Sequence, residues 1–268
     1  MKKKWLFLTA GTAALLGAGL PHKCDYTEYF IRSSKIQNPV KMILISDLHG
    51  ASYGKNMCKL IEMINKEHAD AILIPGDLFD EFHGDENGFA LLDQIRNYPV
   101  YYSTGNHEEH RRDVIALKEK IKEYGVNVLD YNTKVIQLNG NTLEIGGINC
   151  KSKENTYLAY EINKIYKTDA YRILLSHKPH WVSLYKDINC DLVVSGHAHG
   201  GQWCIPGTRI GAAAPQQGLL PKYIHGMHEI GNKKIIIGRG LTKEYHGIPR
   251  LYNNPEFVVI HLLPDVVA

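Results

Sequence analysis

Five short polar segments could do chemistry: Ser46-Asp47-Leu48-His49, Gly76-Asp77-Leu78-Phe79-Asp80, Gly105-Asn106-His107-Glu108, Ser176-His177-Lys178-Pro179 and Gly196-His197-Ala198-His199-Gly200-Gly201. Their donors are carboxylate oxygen, amide oxygen and imidazole nitrogen. That set suits a borderline divalent cation such as Mn, Fe or Zn. In Asp-x-His and His-x-His, extended chain turns both side chains to one side. The flanking glycines let backbone come close to whatever is bound. Asp47, His49, Asp77, Asn106, His177, His197 and His199 make seven ligands, too many for one tetrahedral ion. They suit two ions that share a bridging carboxylate and are completed by water.

Taken singly, most of these segments have ordinary uses. Asp-x-His is a surface turn in many proteins, and Gly-Asp after a strand is a common cap. Gly-Asn-His-Glu can open a helix. Gly-His-Ala-His-Gly is different, because two histidines among glycines at a strand end have little structural purpose. All five also follow buried apolar runs, where an open α/β sheet places its ligands.

Those runs are KMILIS (41–46), AILIP (71–75), VYYST (100–104), YRILLS (171–176) and CDLVVS (190–195), each short and apolar enough for a strand buried on both faces. Helical spacing marks 55–67, 88–97 and 108–124, the last with Val114, Leu117, Ile121 and Tyr124 on one stripe and Gly125 as its stop. Strand–loop–helix therefore recurs three times, which predicts a parallel sheet covered by helices. Residues 135–148 predict a hairpin turning at Asn139-Gly140, and 154–167 a weak helix. KKIIIG (233–238) and EFVVIHLL (256–263) are late strands expected to run antiparallel to a neighbour. Residues 200–227 form a long Gly-, Pro- and Gln-rich loop, and loops of that length are usually functional.

In chain order, D-x-H, G-D-x-x-D, G-N-H-E, an isolated His and G-H-x-H resemble the motif set of the calcineurin-like metallophosphoesterases. The resemblance spans residues 41–200 in motif terms, and every position carries the expected residue type. It implies an α/β fold, a four-layer αββα sandwich of two mixed sheets flanked by helices. It also implies that Asp47, His49 and His199 hold one divalent ion and Asn106, His177 and His197 the other. Asp77 would bridge them, and His107 would protonate the leaving oxygen. Two cations about 3.5–4 Å apart would neutralise the phosphoryl oxygens, and a water bridging them would lose a proton and attack in line. A histidine suits the acid's role because an imidazole ordinarily titrates near about 6.5. Asp80 and Glu108 are candidates to orient His107 or the ligand histidines. Arg111, Arg112 and Arg239 are candidates to grip a second phosphate of the substrate.

Gly200-Gly201-Gln202, Pro215-Gln216-Gln217-Gly218-Leu219 and Gly238-Arg239-Gly240-Leu241 resemble a membrane-associated bacterial branch of that family, many members of which are regarded as UDP-2,3-diacylglucosamine pyrophosphatases. The implied substrate is an envelope phosphodiester or pyrophosphate, lipid-linked or a nucleotide sugar. In that case Trp203, Ile205, Leu219 and Leu220 would offer it an apolar wall.

The bulk composition is that of an ordinary globular enzyme: 268 residues, 44% hydrophobic, with a net charge of +3. No dense Lys/Arg stripe interleaved with aromatics is present, so nucleic acid is not an expected partner. No G-x-S-x-G motif points to a serine hydrolase. The five cysteines form no C-x-x-C pair, so neither a disulfide framework nor a thiolate zinc site is implied. Competing readings are a nuclease, a phosphoprotein phosphatase, or a metal-stabilised scaffold that binds a protein without catalysis. The scaffold is disfavoured because every ligand and the proton donor are kept.

Lys2, Lys3 and Lys4 precede an apolar run from Trp5 to Leu20, 16 residues long and short of the ~20 of an unstrained membrane span. Residues 1–22 are thus expected to be a signal peptide or membrane anchor, 23–40 a linker and 41–268 the catalytic domain. The lysines should stay cytoplasmic and the remainder be exported.

Overall fold

Alternation along the strands decides the layering. Met42 and Leu44 belong to one apolar cluster, while Ile43 and Ile45 belong to another. Leu73 and Ile74, Tyr101 and Tyr102, and Val258 and Val259 divide in the same way. A strand that is apolar on both faces must be covered on both, so the sheet carrying these residues lies inside the protein.

The computed structural model describes residues 17–151, 156–245 and 247–265. The strands of its two large sheets, in chain order, are β1 (Asp25–Ser33), β2 (Val40–Leu44), β3 (Ala71–Ile74), β4 (Val100–Tyr102), β5 (Asn127–Val128) and β6 (Asn132–Leu138). They continue with β7 (Asn141–Ile148), β8 (Tyr171–Ser176), β9 (Leu192–Ser195), β10 (Gly226–Ile230), β11 (Lys233–Ile237) and β12 (Glu256–Pro264). One six-stranded sheet has the order β1-β12-β2-β3-β4-β5 and the other β10-β11-β9-β8-β7-β6. The sheets face each other across Met42, Leu44, Leu73, Ile173, Val194 and Ile236. Helices Cys58–Glu67, Glu86–Gln94 and Val114–Lys122 cover the outer face of the first sheet through Leu60, Leu92 and Ile121. Helices Thr156–Ile165 and Val182–Asp187 cover the second through Ile162 and Tyr185. This is the four-layer αββα sandwich that the motif order implied.

Strands β2 to β5 run parallel in spatial sequence, and so do β7, β8, β9 and β11. Their C-terminal ends open on one edge, which is where the motif segments emerge. The 135–148 hairpin is β6–β7, turning at Asn139 (φ 52°) and Gly140 (φ 78°). Two positive φ values in succession are what a right-twisted two-residue hairpin requires. The late strands β11 and β12 each have one antiparallel neighbour, β10 and β2, as expected.

Two expectations change. Residues 23–40 are not a simple linker, because β1 lies within them and pairs parallel with β12, Asp25 opposite Glu256. Its alternating pattern is weak: it is an edge strand on which only Ile31 is fully buried. The helix expected over 108–124 is two helices, Asn106–His110 and Val114–Lys122, broken where Arg111 takes an extended ψ of 142°. The signal or anchor expected over 1–22 lies largely outside the described residues. Among the described residues, no helix is long and apolar enough to cross a membrane.

Candidate metal centre

The loops after β2, β3, β4, β8 and β9 converge where the two sheets meet. His197 N donates to Asp47 Oδ1 at 2.8 Å, tying a loop of one sheet to a loop of the other. His107 N donates to Asp77 Oδ1 at 2.9 Å. Each carboxylate is thus fixed through one oxygen. The other, Oδ2, is buried in both and has no hydrogen-bond partner. Room for these carboxylates depends on glycine: a Cβ at Gly105 would lie 2.1 Å from Asp77 Oδ1, and one at Gly196 2.2 Å from Asp47 Oδ2.

The backbone is held in a costly conformation at these residues. Asp47 (φ 49°), His49 (48°), Asp77 (53°), His197 (69°) and His199 (47°) are all left-handed. Such a state costs on the order of 1 kcal/mol or more per residue and persists only where the surroundings enforce it. Asp and His tolerate it better than most residues.

The side chains form two triads. In Asp47, His49 and His199, one ligand atom from each residue lies within 4.8 Å of the others, and the same holds for Asp77, His177 and His197. Asp77 stands between the triads, its Oδ2 2.8 Å from His177 Nε2 and 3.7 Å from His49 Nε2. Asn106 Oδ1 is buried without a hydrogen-bond partner, as are the Nε2 atoms of His49 and His177. Buried polar atoms are normally satisfied, and orphaned ones gathered at one point signal a missing ion.

Outer partners fix the rings. His177 Nδ1 lies 3.1 Å from Pro75 O, His49 Nδ1 3.3 Å from Asp80 Oδ2, and His197 Nε2 2.5 Å from Gln216 Oε1. These oxygens only accept, so each holds the ring proton and turns the other nitrogen's lone pair inward. At His177 the consequence is sharp: the Nε2 lone pair faces a carboxylate oxygen at 2.8 Å, a repulsive contact unless a cation lies between them. Burial alone would lower the His177 pKa, but Asp77 and Asp47 outweigh it and push it up to about 9. Burial would likewise raise the Asp77 pKa, yet His177, His49 and His107 hold it well below the usual range. Burial, reinforced by His177, lowers His197 to about 3, and burial with His49 beside it lowers His199. Both therefore present neutral, lone-pair nitrogen. Burial and the neighbouring Asp77 push Glu108 up to about 7.

The donor set fits divalent cations. In agreement with that geometry, the sequence profile of the calcineurin-like phosphoesterases matches residues 40–201, more than half of the chain. The chain belongs to this family. An uncharacterized metallophosphoesterase of Helicobacter pylori J99 is 30% identical over 246 residues, 86% of this chain and 61% of that protein. The chain thus spans about three fifths of the length of that relative. The phosphodiesterase YaeI of Escherichia coli K12 is 26% identical across 98% of this chain and 99% of its own. In fold, TT1561 of Thermus thermophilus superposes with a TM-score of 0.53 at 12% identity, covering 76% of this chain and 91% of that one.

Seven of the eight residues expected at the centre, Asp47, His49, Asp77, His107, His177, His197 and His199, lie together, and Asn106 directly precedes His107. His107 sits edge-on to His49 with ring centroids 4.7 Å apart, and its Nδ1 lies 2.8 Å from Glu81 Oε2. Asp80 contacts His49, one of the histidines expected to hold a cation. Glu108 acts on the backbone instead. Its carboxylate accepts the N–H groups of Asp77, Phe79 and Gly105, which shapes the loop around Asp77. The partners that sequence spacing missed are Glu81, Gln216 and His180, and Tyr245 of a late loop also borders the cluster. His180 lies 5.9 Å from His197, and Tyr245 5.0 Å from His199, ring to ring. Since Gln216 fixes the His197 tautomer, Gln216→Leu should weaken Mn binding about 10–100-fold while leaving the fold intact. Calorimetric titration of the chelated protein measures this, and unchanged affinity would remove Gln216 from the centre.

Two of the three arginines assigned to substrate, Arg111 and Arg239, are engaged elsewhere. Arg111 is spent on Asp85, Asp113 and the Asp80 carbonyl. Arg239 is 5% exposed, and its Nη2 lies 3.1 Å from Asp25 Oδ2 and 3.2 Å from Glu256 Oε1. Arg239→Met should therefore cost about 3–5 kcal/mol of stability by stranding buried Glu256. KM should not change. Urea unfolding with steady-state kinetics tests both, and a raised KM at unchanged stability would restore the phosphate-gripping role.

Proposed function

We propose that this chain hydrolyses phosphate esters or anhydrides, most plainly phosphodiesters or pyrophosphates, with two divalent cations. Asp47, His49 and His199 would hold one, Asn106, His177 and His197 the other, with Asp77 between them. The observation that carries the reading is the approach of His177 Nε2 to Asp77 Oδ2 at 2.8 Å, with a triad on either side. When bound, the cations supply charge neutralisation at the phosphoryl oxygens and an activated water.

The chain's own residues do the rest. Asp77 sets the separation of the two halves. Pro75 O, Asp80 and Gln216 keep the ligand rings in the metal-ready tautomer. Glu81 accepts from His107 Nδ1, which leaves Nε2 as the atom that gives its proton to the departing oxygen. The substrate of choice is an envelope compound, lipid-linked or a nucleotide sugar. The chain reaches it by export, with residues 1–22 as signal or anchor. Mn, Zn and Fe all suit the donors.

The test is hydrolysis of bis-p-nitrophenyl phosphate after chelation and after Mn, Zn or Fe(II) is restored. Turnover should vanish with chelation, return with metal and depend weakly on salt. Undiminished turnover in chelator would end the proposal.

A further inference from the structure

We propose that the irregular surface around Trp203, Ile205, Ile210, Leu219, Leu220 and Ile248 docks on a lipid bilayer and sets the metal centre at headgroup level. These six side chains are exposed, Leu219 by 83% and Leu220 by 68%. They share one hydrogen-bonded mat. Ile205 N donates to Ile210 O, Ala212 N to Trp203 O, and Leu220 N to Ala212 O, at 3.0, 2.7 and 3.0 Å. Trp203 Nε1 reaches Pro249 O, the residue after Ile248, at 3.0 Å. A contiguous exposed apolar patch of this kind marks an interaction surface rather than idle exposure. Leu220 is also held at a φ of 49° with its side chain outward. Left-handed leucine is strained, and here no burial repays the strain.

Two observations identify a bilayer as the occupant. The first is where the apolar Trp5–Leu20 segment meets the fold. Tyr252 N donates to Gly19 O at 2.6 Å, and Leu251, its neighbour, bridges to Trp203. A chain end that follows Lys2, Lys3 and Lys4 with an apolar run therefore enters beside the mat. The second is charge. No Asp or Glu occurs between Asp191 and Glu229, while Arg209 and Lys222 are exposed within that stretch. Across residues 192–228 the surface carries cations and no acids, which suits an anionic lipid surface; the hairpin that carries Ile248 adds one exposed acid, Glu244, opposite Pro249. Stable attachment generally takes two signals, and the N-terminal segment and the mat supply one each.

The mat begins at Trp203, four residues past His199, and includes the strand-turn that carries Gln216 to His197. Docking would therefore turn the mouth of the centre towards phosphates in the headgroup plane. The docking claim stands apart from catalysis. Its consequence, that the substrate is an amphiphile, rests on the phosphoesterase reading.

The experiment uses the full chain carrying Trp5→Phe. Trp181 is buried, so Trp203 becomes the exposed reporter. The chain is mixed with phosphatidylethanolamine–phosphatidylglycerol vesicles whose acyl chains are brominated or plain. Docking at the usual interfacial depth of about 5–10 Å should lower emission about twofold in the brominated vesicles. Adding Trp203→Phe should abolish that difference. Equal emission in the two vesicle types would overturn the proposal, whether or not the chain floats with the lipid, since the mat would then face water or be covered by the N-terminal segment. Quenching that survives Trp203→Phe would overturn it too. No catalytic readout is involved, so failure here leaves the hydrolase reading untouched.

Discussion

Asp77→Asn should slow phosphodiester hydrolysis by on the order of 10³-fold, because a bridging carboxylate contributes several kcal/mol through the ions it holds. The substitution keeps the volume and an acceptor for His107 N, so the loop should survive. It removes the carboxylate that approaches both triads most closely, at 2.8 Å from His177 Nε2 and 3.7 Å from His49 Nε2. Metal content measured by plasma emission should fall together with kcat/KM. A variant that kept two metals and turned over within tenfold of the parent would show that Asp77 is not the bridge.

His107→Ala should behave differently, because this side chain handles a proton and not an ion. With an alkyl phosphodiester the departing alkoxide needs protonation, and the loss should reach about 10²–10⁴ in kcat. With bis-p-nitrophenyl phosphate the stable phenolate leaves unaided, and the loss should be about tenfold or less. Metal content should stay that of the parent. Because His49, Asp77 and His107 also lie within 4.8 Å of one another, the alternative is concrete. If His107 were a ligand, metal content would drop and both substrates would suffer alike.

The cluster was legible from sequence because its side chains sit at fixed offsets after buried strands, and strand ends are visible as breaks in apolar runs. The partners behind them were not. Gln216 reaches His197 from 19 positions further on, and Glu81 reaches His107 from 26 positions earlier. Nothing in local spacing encodes such contacts, which exist only once a loop has folded back. The misplacement of Arg239 has a related cause. Between glycines after a strand, a guanidinium resembles a phosphate clamp. Its partners Asp25 and Glu256 come together only because β1 pairs with β12. β1 itself was hidden because an edge strand has little to bury. In the sheet interior the reverse held: Met42 and Ile43, facing opposite cores, announced a strand covered on both sides.

The most direct test of the central claim is a titration of the chelated full chain with Mn, following bound metal and bis-p-nitrophenyl phosphate turnover in the same samples. Two triads sharing Asp77 predict two bound ions per chain, with turnover appearing as the second one fills. Full turnover at one ion per chain would contradict the account, and so would two bound ions with no turnover of any phosphodiester or pyrophosphate.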